Sequence, residues 1–393
     1  MKTRIRLGFH YHVPALARPD GVYTPGFQGR FIDSLAEFAG DVLCFLHSPL
    51  PADEALMDYR LAAENVRLVD LGPTTSVPRR LLGWRRYTRP LRQNLHRLDA
   101  LLIRGPSPLL PHLARAAGDL PLALLLVGDY LAGIDALPQP RWRKELIRLW
   151  AYINERQQKR AARRALVFVN SRLLYEEYQP LAKRLFEVRT TTLHESDFYL
   201  RSDTCAAPPY RLLYAGRMDR AKGILHMVEA LSLLVSRGED LILDLVGWQE
   251  KGDPVLSEVE QLAGARGMEN RVIYHGYKPV GAELFHYYRQ ADLYLIASLA
   301  SEGFPRTIWE AMAHSLPVIA TRVGSIPHLL QGKAELIPPG DALALAEAIS
   351  RLLHNPELRQ KYILAGRELA SQNTASLQAR KIVEEIEACL TPR

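Results

Sequence analysis

The chain has 393 residues, 48% of them hydrophobic, which is enough for two or three domains with a large core. No apolar run reaches the ~18 residues a membrane-spanning helix needs, and the longest, "LPLALLLVG" at 120–128, is of strand length. The net charge of +7 divides into +9 for residues 1–200 and −2 for residues 201–393, so the basic excess and any anionic surface it meets belong to the first half. The start, "MKTRIRLGFHYHVP", lacks the sustained apolar stretch of a secretory signal. Cys44, Cys205 and Cys389 lie far apart and form no metal-binding or disulfide pattern. Both features point to a cytoplasmic chain with reduced thiols.

In chain order, "RIRLGFHYH" reads as a strand and "GRFIDSLAEFA" as the amphipathic helix after it. "DVLCFLHS", "VRLVDLG", "ALLIRG", "LALLLVGD" and "ALVFVNS" follow, each a short apolar run ending in Gly, Asp, Asn or Ser. Runs of this kind are strands buried on both faces, as in a parallel sheet. The second half repeats the theme with "YRLLYAGR", "LILDLVGW", "RVIYHGY", "ADLYLIAS", "LPVIAT" and "AELIPP". Between them, "KGILHMVEALSLLVSRG", "PVLSEVEQLAGARG" and "ALALAEAISRLLHN" have helical spacing.

The pattern predicts two doubly wound α/β domains. The first spans 1–198, residues 199–209 with their Pro pair form a linker, and the second spans 210–373. A last helix at about 374–390 either packs on its own domain or crosses back to the first; periodicity leaves both open. Ligands of open parallel sheets bind beyond the carboxyl ends of the strands, so two such domains would face each other across a cleft lined by those ends.

The segment "SEGFPRTIWEAMAHSLPVIATRVGSIPHLL", residues 301–330, sets two carboxylates around a core-like stretch. Glu302 precedes a Gly-Phe-Pro turn, and Glu310 lies about one turn inside a helix expected from Arg306 to His314. Pro305 suits the start of that helix, whose first amides favour an anion such as phosphate. Gly303 permits close backbone approach. In "YAGRMDRAKGILHMVEAL", Arg217 and Lys222 bracket a loop that opens a helix, where both can reach a phosphate. A nucleoside diphosphate sugar needs this combination: amides and cations for its phosphates, carboxylates for its hydroxyls. Neither GxxxxGK[ST] nor GxGxxG occurs.

Taken together, "GRMDRAKG", "SEGFPRTIWEAMAHSLPVIAT", "VGSIPHLL" and "LIPPGDALALAEAI" resemble the retaining glycosyltransferases of family 4, which have the GT-B fold of two Rossmann-like domains. The family's E-x7-E signature is matched by Glu302 and Glu310, and the resemblance runs through most of residues 210–353. It implies transfer from a UDP- or GDP-type sugar with no cofactor and no metal. By the same resemblance Arg217 and Lys222, with Gly216 beside them, hold the diphosphate. Glu302 and the backbone of Gly303, Phe304 and Pro305 contact the donor sugar, and Glu310 takes the ribose. Arg306 and Thr307 either touch phosphate or cap the helix.

The first half departs from the family. Gly26 and Phe27 stand where a Gly-Gly loop usually approaches the donor phosphates, with Gly29 as a substitute for the second glycine. Gly128-Asp129 stands where relatives carry His-Asp, which leaves Asp129 as a contact for sugar or acceptor. "ESDF", Glu195 to Phe198, replaces Asn-Gly-Val-Asp. His10 and His12 either face the cleft from the end of the first strand or are ordinary strand histidines, and His194 and His314 read as structural ones.

Two stretches are strongly basic. Residues 79–97 hold seven arginines and no acid, and residues 141–164 hold nine basic residues against Glu145 and Glu155. In the second, Trp142, Leu146, Trp150 and Ile153 recur at helical spacing. Such a helix fits an anionic membrane surface on the inner face of the membrane, and fits equally a core-facing stripe with a basic rim. No nucleic-acid module is present.

The reading is a transferase acting on a glycan, lipid or lipid-linked acceptor in cell-surface polysaccharide or glycoconjugate synthesis. A non-catalytic relative that binds nucleotide sugar or membrane, and a sugar-nucleotide epimerase or a phosphorylase, are the alternatives. Base contacts are expected near the ends of the "DLVGW" and "YHGY" strands.

Overall fold

The computed structural model describes residues 4–128, 134, 140–250, 252–300 and 304–390. The chain forms two compact units, one of Met1–Thr190 with Ala375–Arg393, the other of Thr191–Thr374.

The strands of the first unit are β1 (Arg6–His10), β2 (Leu16–Arg18), β3 (Gly21–Thr24), β4 (Asp41–Ser48), β5 (Tyr59–Arg60), β6 (Val66–Pro73), β7 (Ala100–Gly105), β8 (Leu122–Leu126), β9 (Leu166–Val169) and β10 (Arg184–Glu187). Seven of them form a parallel sheet in the order β10-β9-β8-β7-β1-β4-β6. Both faces are covered, so buried side chains alternate between two cores. Leu43 and Phe45 of β4 pack with Leu101 and Ile103, while Val42, Cys44 and Leu46 pack with Phe31 and Leu102. This double burial is what makes the strands read as unbroken apolar runs. β2, β3 and β5 make a small antiparallel sheet that the apolar pattern does not reveal.

The second unit holds β11 (Tyr210–Ala215), β12 (Leu241–Val246), β13 (Val272–Tyr274), β14 (Leu293–Ile296), β15 (Val318–Thr321) and β16 (Glu335–Ile337), all parallel, in the order β13-β12-β11-β14-β15-β16. The helices Ile224–Val235 and Ala342–His354 cover one face, and Arg306–Ala313 lies in the core of the other.

One boundary differs from the sequence expectation, and one placement left open is decided. The division falls between Thr190 and Thr191, not at 199–209. Those eleven residues are bonded into the second unit. The Tyr199 amide donates to Ala313 O (2.9 Å), Asp203 takes the Arg359 guanidinium (2.8 and 2.9 Å), and the Cys205 amide donates to Asp292 (2.7 Å). A Pro pair that looks like a flexible joint is therefore pinned. The last helix, Ala375–Leu390, joins the first unit, with Ile382, Val383 and Ile386 in the core beside Ile5, Leu7 and Phe31.

Candidate functional site

The strand order of the second sheet reverses at β11, with β12 and β13 on one side and β14 to β16 on the other. A crevice opens at such a reversal beyond the carboxyl ends of the strands. The loops after β11 and β14 meet there. Gly216 donates its amide to Val246 O (2.9 Å), Met218 to Trp248 O (2.8 Å), and Leu299 to Ala221 O (2.8 Å). Gly223 begins the helix Ile224–Val235 at φ 69°, and a Cβ built on it would lie 2.0 Å from Ala297 O. Only glycine allows both that backbone angle and that approach. The two loops are thus clamped together by main chain.

On this frame Arg217 is 44% exposed in its side chain and donates through Nε to Asp219 (2.6 Å) and through Nη1 to Glu250 (3.4 Å). Exposed pairs of this kind contribute about 0–1 kcal/mol, so an arriving phosphate can displace the acids at little cost. Asp219 also accepts the Lys222 amide (3.2 Å) and fixes the short turn Arg220–Lys222, which carries the half-buried Lys222 side chain. Beyond β14, Pro305 starts the helix Arg306–Ala313, which has no side-chain cap among the described residues and no acid in its first turn. Its amide end is the positive pole of the helix dipole. Phe304, only 7% exposed, packs against Trp309 with ring centroids 4.5 Å apart and anchors the approach to the helix.

Glu310 is 2% exposed, and its carboxylate accepts the Thr192 hydroxyl (2.6 Å) and the Tyr288 hydroxyl (2.9 Å). The expected ribose ligand is thus a carboxylate already embedded in the unit. Burial, and then the Glu310 charge, hold the Tyr288 hydroxyl well above its ordinary value, so it stays a donor. Thr192 and Tyr288 escape sequence reading because they meet Glu310 only through tertiary structure. Glu302, Gly303 and Asp129 lie outside the described residues.

The first-unit candidates sit differently from expectation. Gly26 and Phe27 are the first two residues of the helix Gly26–Phe38, not a loop, and the Gly26 amide is held by Asp58 (2.8 Å). Gly29 lies within the helix, where a Cβ would stand 2.2 Å from the Tyr59 ring. Its bareness makes room for Tyr59. The small sheet β2-β3-β5, which brings Tyr59 onto the helix, is the reason.

Two further surfaces matter. Trp248, Tyr274 and Tyr277, at or just beyond the ends of β12 and β13, are 40–45% exposed. The helix Arg141–Ala162 turns Ala151, Asn154, Gln158, Ala161 and Ala162 inward and leaves Trp142 (61% exposed), Leu146, Leu149, Tyr152 and Ile153 outside, with Trp150 half-buried. Of the two readings of its apolar stripe, the core-facing one is excluded. The stretch 79–97 behaves otherwise: it forms the helices Val77–Leu82 and Trp84–Asn94 and buries Arg80, Tyr87 and Leu91. Among the described residues, no helix is long and apolar enough to cross a membrane, and no cluster of three or more His, Cys, Asp or Glu could hold a metal ion.

Residues 201–369, all within the second unit, match the family model for glycosyl transferases group 1. The chain is 30% identical over 183 residues to the phosphatidyl-myo-inositol mannosyltransferase of Mycobacterium leprae, covering 46% of this chain and 47% of that one. It is 29% identical over 200 residues to the amylovoran biosynthesis glycosyltransferase AmsK of Erwinia amylovora, covering 48% of each. These matches span about half the length of the curated relatives. The fold extends further. Crystal structures of Anabaena HepE in complex with UDP and glucose (TM-score 0.72, 19% identity) and of the trehalose-6-phosphate synthase OtsA (0.71, 14%) cover 98% and 99% of this chain and all of their own. The chain has the GT-B fold, and residues 201–369 are similar to the glycosyl transferases group 1 family.

Proposed function

We propose that the chain is a retaining glycosyltransferase that moves a sugar from a UDP- or GDP-type donor to a glycan, lipid or lipid-linked acceptor in cell-surface polysaccharide or glycoconjugate synthesis. The observation that carries this reading is the placement of the Arg217–Lys222 loop and the open end of the helix Arg306–Ala313 on neighbouring strands at the sheet reversal. The donor diphosphate takes Arg217, Lys222 and the first amides of that helix. Glu310, held by Thr192 and Tyr288, takes the ribose, and Glu302 and Asp129 contact the sugar or acceptor. Trp248 and Tyr277 offer faces to the base.

As the bond from the anomeric carbon to the diphosphate breaks, negative charge grows on the leaving oxygen, and the cations and amides meet it in place. No metal is assigned a part. The acceptor hydroxyl forms its bond to the anomeric carbon on the face the diphosphate leaves, and its proton passes to a diphosphate oxygen. The sugar configuration is thereby retained.

The reading is tested by incubating the protein with a panel of nucleotide sugars and following nucleotide release and product configuration. Turnover of one donor with retention supports it. Nucleotide binding with no turnover on any acceptor supports the non-catalytic alternative instead.

The exposed face of the helix Arg141–Ala162, with Arg and Lys flanking Trp142 and Leu146, docks on an anionic bilayer in this reading. Co-sedimentation with anionic liposomes should retain the protein at low salt and release it as salt rises. Trp142→Gln with Leu146→Gln should leave most of it in the supernatant; unchanged retention would remove the docking face.

A further inference from the structure

Residues 79–97 carry seven arginines and no acid, and the fold sorts them. Arg80 is buried, whereas Arg79, Arg85, Arg86, Arg89 and Arg92 are exposed, and none of those five meets an acid among the described residues. On the helix Trp84–Asn94, Tyr87 and Leu91 turn inward, while Arg85, Arg89 and Arg92 recur at i, i+4 and i+7 on the opposite side. Arg85 and Arg92 lie over the Trp84 ring, 5.5 and 5.9 Å from its centroid, which steadies them without neutralising them. Leu82, just before this helix, is 88% exposed.

The packing of this helix gives its arginines a direction. The helix Leu110–Ala116 contacts both Trp84–Asn94 and Arg141–Ala162. Leu91, Leu113 and Ala162, one from each helix, share a core with Ile103 of β7. The three helices therefore form one layer on one face of the first sheet, and their outer sides look away from the same core. Trp142, Leu146, Leu149 and Ile153 are exposed on one flank of that layer, Arg85, Arg89 and Arg92 on the other, and Arg115 between them.

A partner of this layer must offer anions to arginines that meet no acid, and an apolar phase to Leu82 and the Trp142 stripe. A soluble polyanion, whether nucleic acid or acidic glycan, supplies the first and leaves the apolar side chains in water. A bilayer with anionic headgroups supplies both, phosphates above hydrocarbon. The planar guanidinium suits those phosphates, since it takes two oxygens at once.

We propose that the helix Trp84–Asn94 is a second bilayer contact: Arg85, Arg89 and Arg92 bind the phosphates of anionic lipids, and Leu82 enters the boundary of the acyl chains. This rests on the docking of the helix Arg141–Ala162 given above and adds its lipid selectivity. Once the Trp142 stripe is inserted, the arginines meet lipid in an intramolecular step, so the two contacts reinforce each other.

The full chain is partitioned between buffer and vesicles of phosphatidylcholine, with and without phosphatidylglycerol. Arg85→Gln with Arg89→Gln and Arg92→Gln should weaken binding to the anionic vesicles by about 100-fold, about fivefold for each arginine lost. It should also flatten the salt dependence and leave the melting temperature unmoved, since all three side chains are on the surface. A chain carrying Leu82→Cys and Cys389→Ser, in which Cys44 and Cys205 stay buried, is labelled with bimane. Its emission should shift to the blue with anionic vesicles and stay put with dextran sulfate or duplex DNA. Anionic binding unchanged in the arginine variant, or a bimane that stays in water while the chain is bound, would overturn the second contact. If Trp142→Gln with Leu146→Gln still releases the chain, the first docking face survives that result; if the wild type binds no vesicle, both fall. Polyanion binding lost in the arginine variant, with no vesicle binding, would assign the face to a soluble polyanion and equally overturn the proposal.

Discussion

Both units hold basic side chains near the point where a parallel sheet reverses its order, yet they hold them in opposite ways. In the second unit Arg217 is exposed and paired with Asp219 and Glu250, acids that a ligand can replace. In the first, Arg80 and Arg104 are buried beside histidines that share the same interior. An exposed cation exchanges partners cheaply, whereas a buried one is fixed before the ligand comes and forgives no change of ligand charge.

The largest effect that would sharpen this comparison comes from Arg217→Ala combined with Lys222→Ala. If these residues meet the charge that develops on the diphosphate, the pair should lower kcat/KM for the donor by about 100- to 1,000-fold with little change in melting temperature. A loss of stability with unchanged kcat/KM would make them structural.

Tyr288→Phe is next. It leaves one oxygen of a buried carboxylate without its donor and should destabilise the second unit by about 1–3 kcal/mol in chemical denaturation. Loss of donor affinity beyond the stability change would tie Glu310 to the ligand, and unchanged affinity would make the Thr192–Glu310–Tyr288 set purely structural.

The smallest effect concerns acid. Burial holds His10 down at about 3 and His12 at about 4 and lowers His47 and His112, all in the first unit; in the second, His314 is held at about 4. A folded-state value below the unfolded one near 6.5 means that the unfolded chain binds the extra proton. The stability these groups contribute is therefore complete above about pH 6.5 and falls as pH drops toward 4, at up to about 1.4 kcal/mol per pH unit for each histidine. Hydrogen exchange, corrected for intrinsic rates, should show the first unit losing protection between pH 6.5 and 4.5 before the second. The reverse order would break the contrast between the units.

The parts of the fold that sequence made legible are those where one signal decides. β4 and β11 read correctly because strands buried on both faces are unbroken apolar runs, and polar residues mark the turns after them. β2, β3 and β5 were illegible, being two to four residues long and half exposed, and with them the packing of Tyr59 on Gly29. β10 escaped too, because its four residues are all half-buried. The Pro pair at 208 and 209 imitated a joint because composition carries no record of the bonds that pin Asp203 and Cys205. In the helix Arg141–Ala162 the spacing of Trp142, Leu146 and Ile153 was plain. Which face turned inward was not, since Ala151, Asn154 and Gln158 form the buried side by fit and not by hydropathy. For the site, Arg217, Lys222 and the helix after Pro305 were visible as strand-end residues.

The most direct test of the central claim is nucleotide release over a panel of UDP- and GDP-sugars, comparing the wild type with the Arg217→Ala and Lys222→Ala pair. The account predicts that one donor is turned over with retention and that the paired substitution abolishes most of the release. No turnover of any donor, together with no nucleotide-dependent rise in melting temperature, would contradict it.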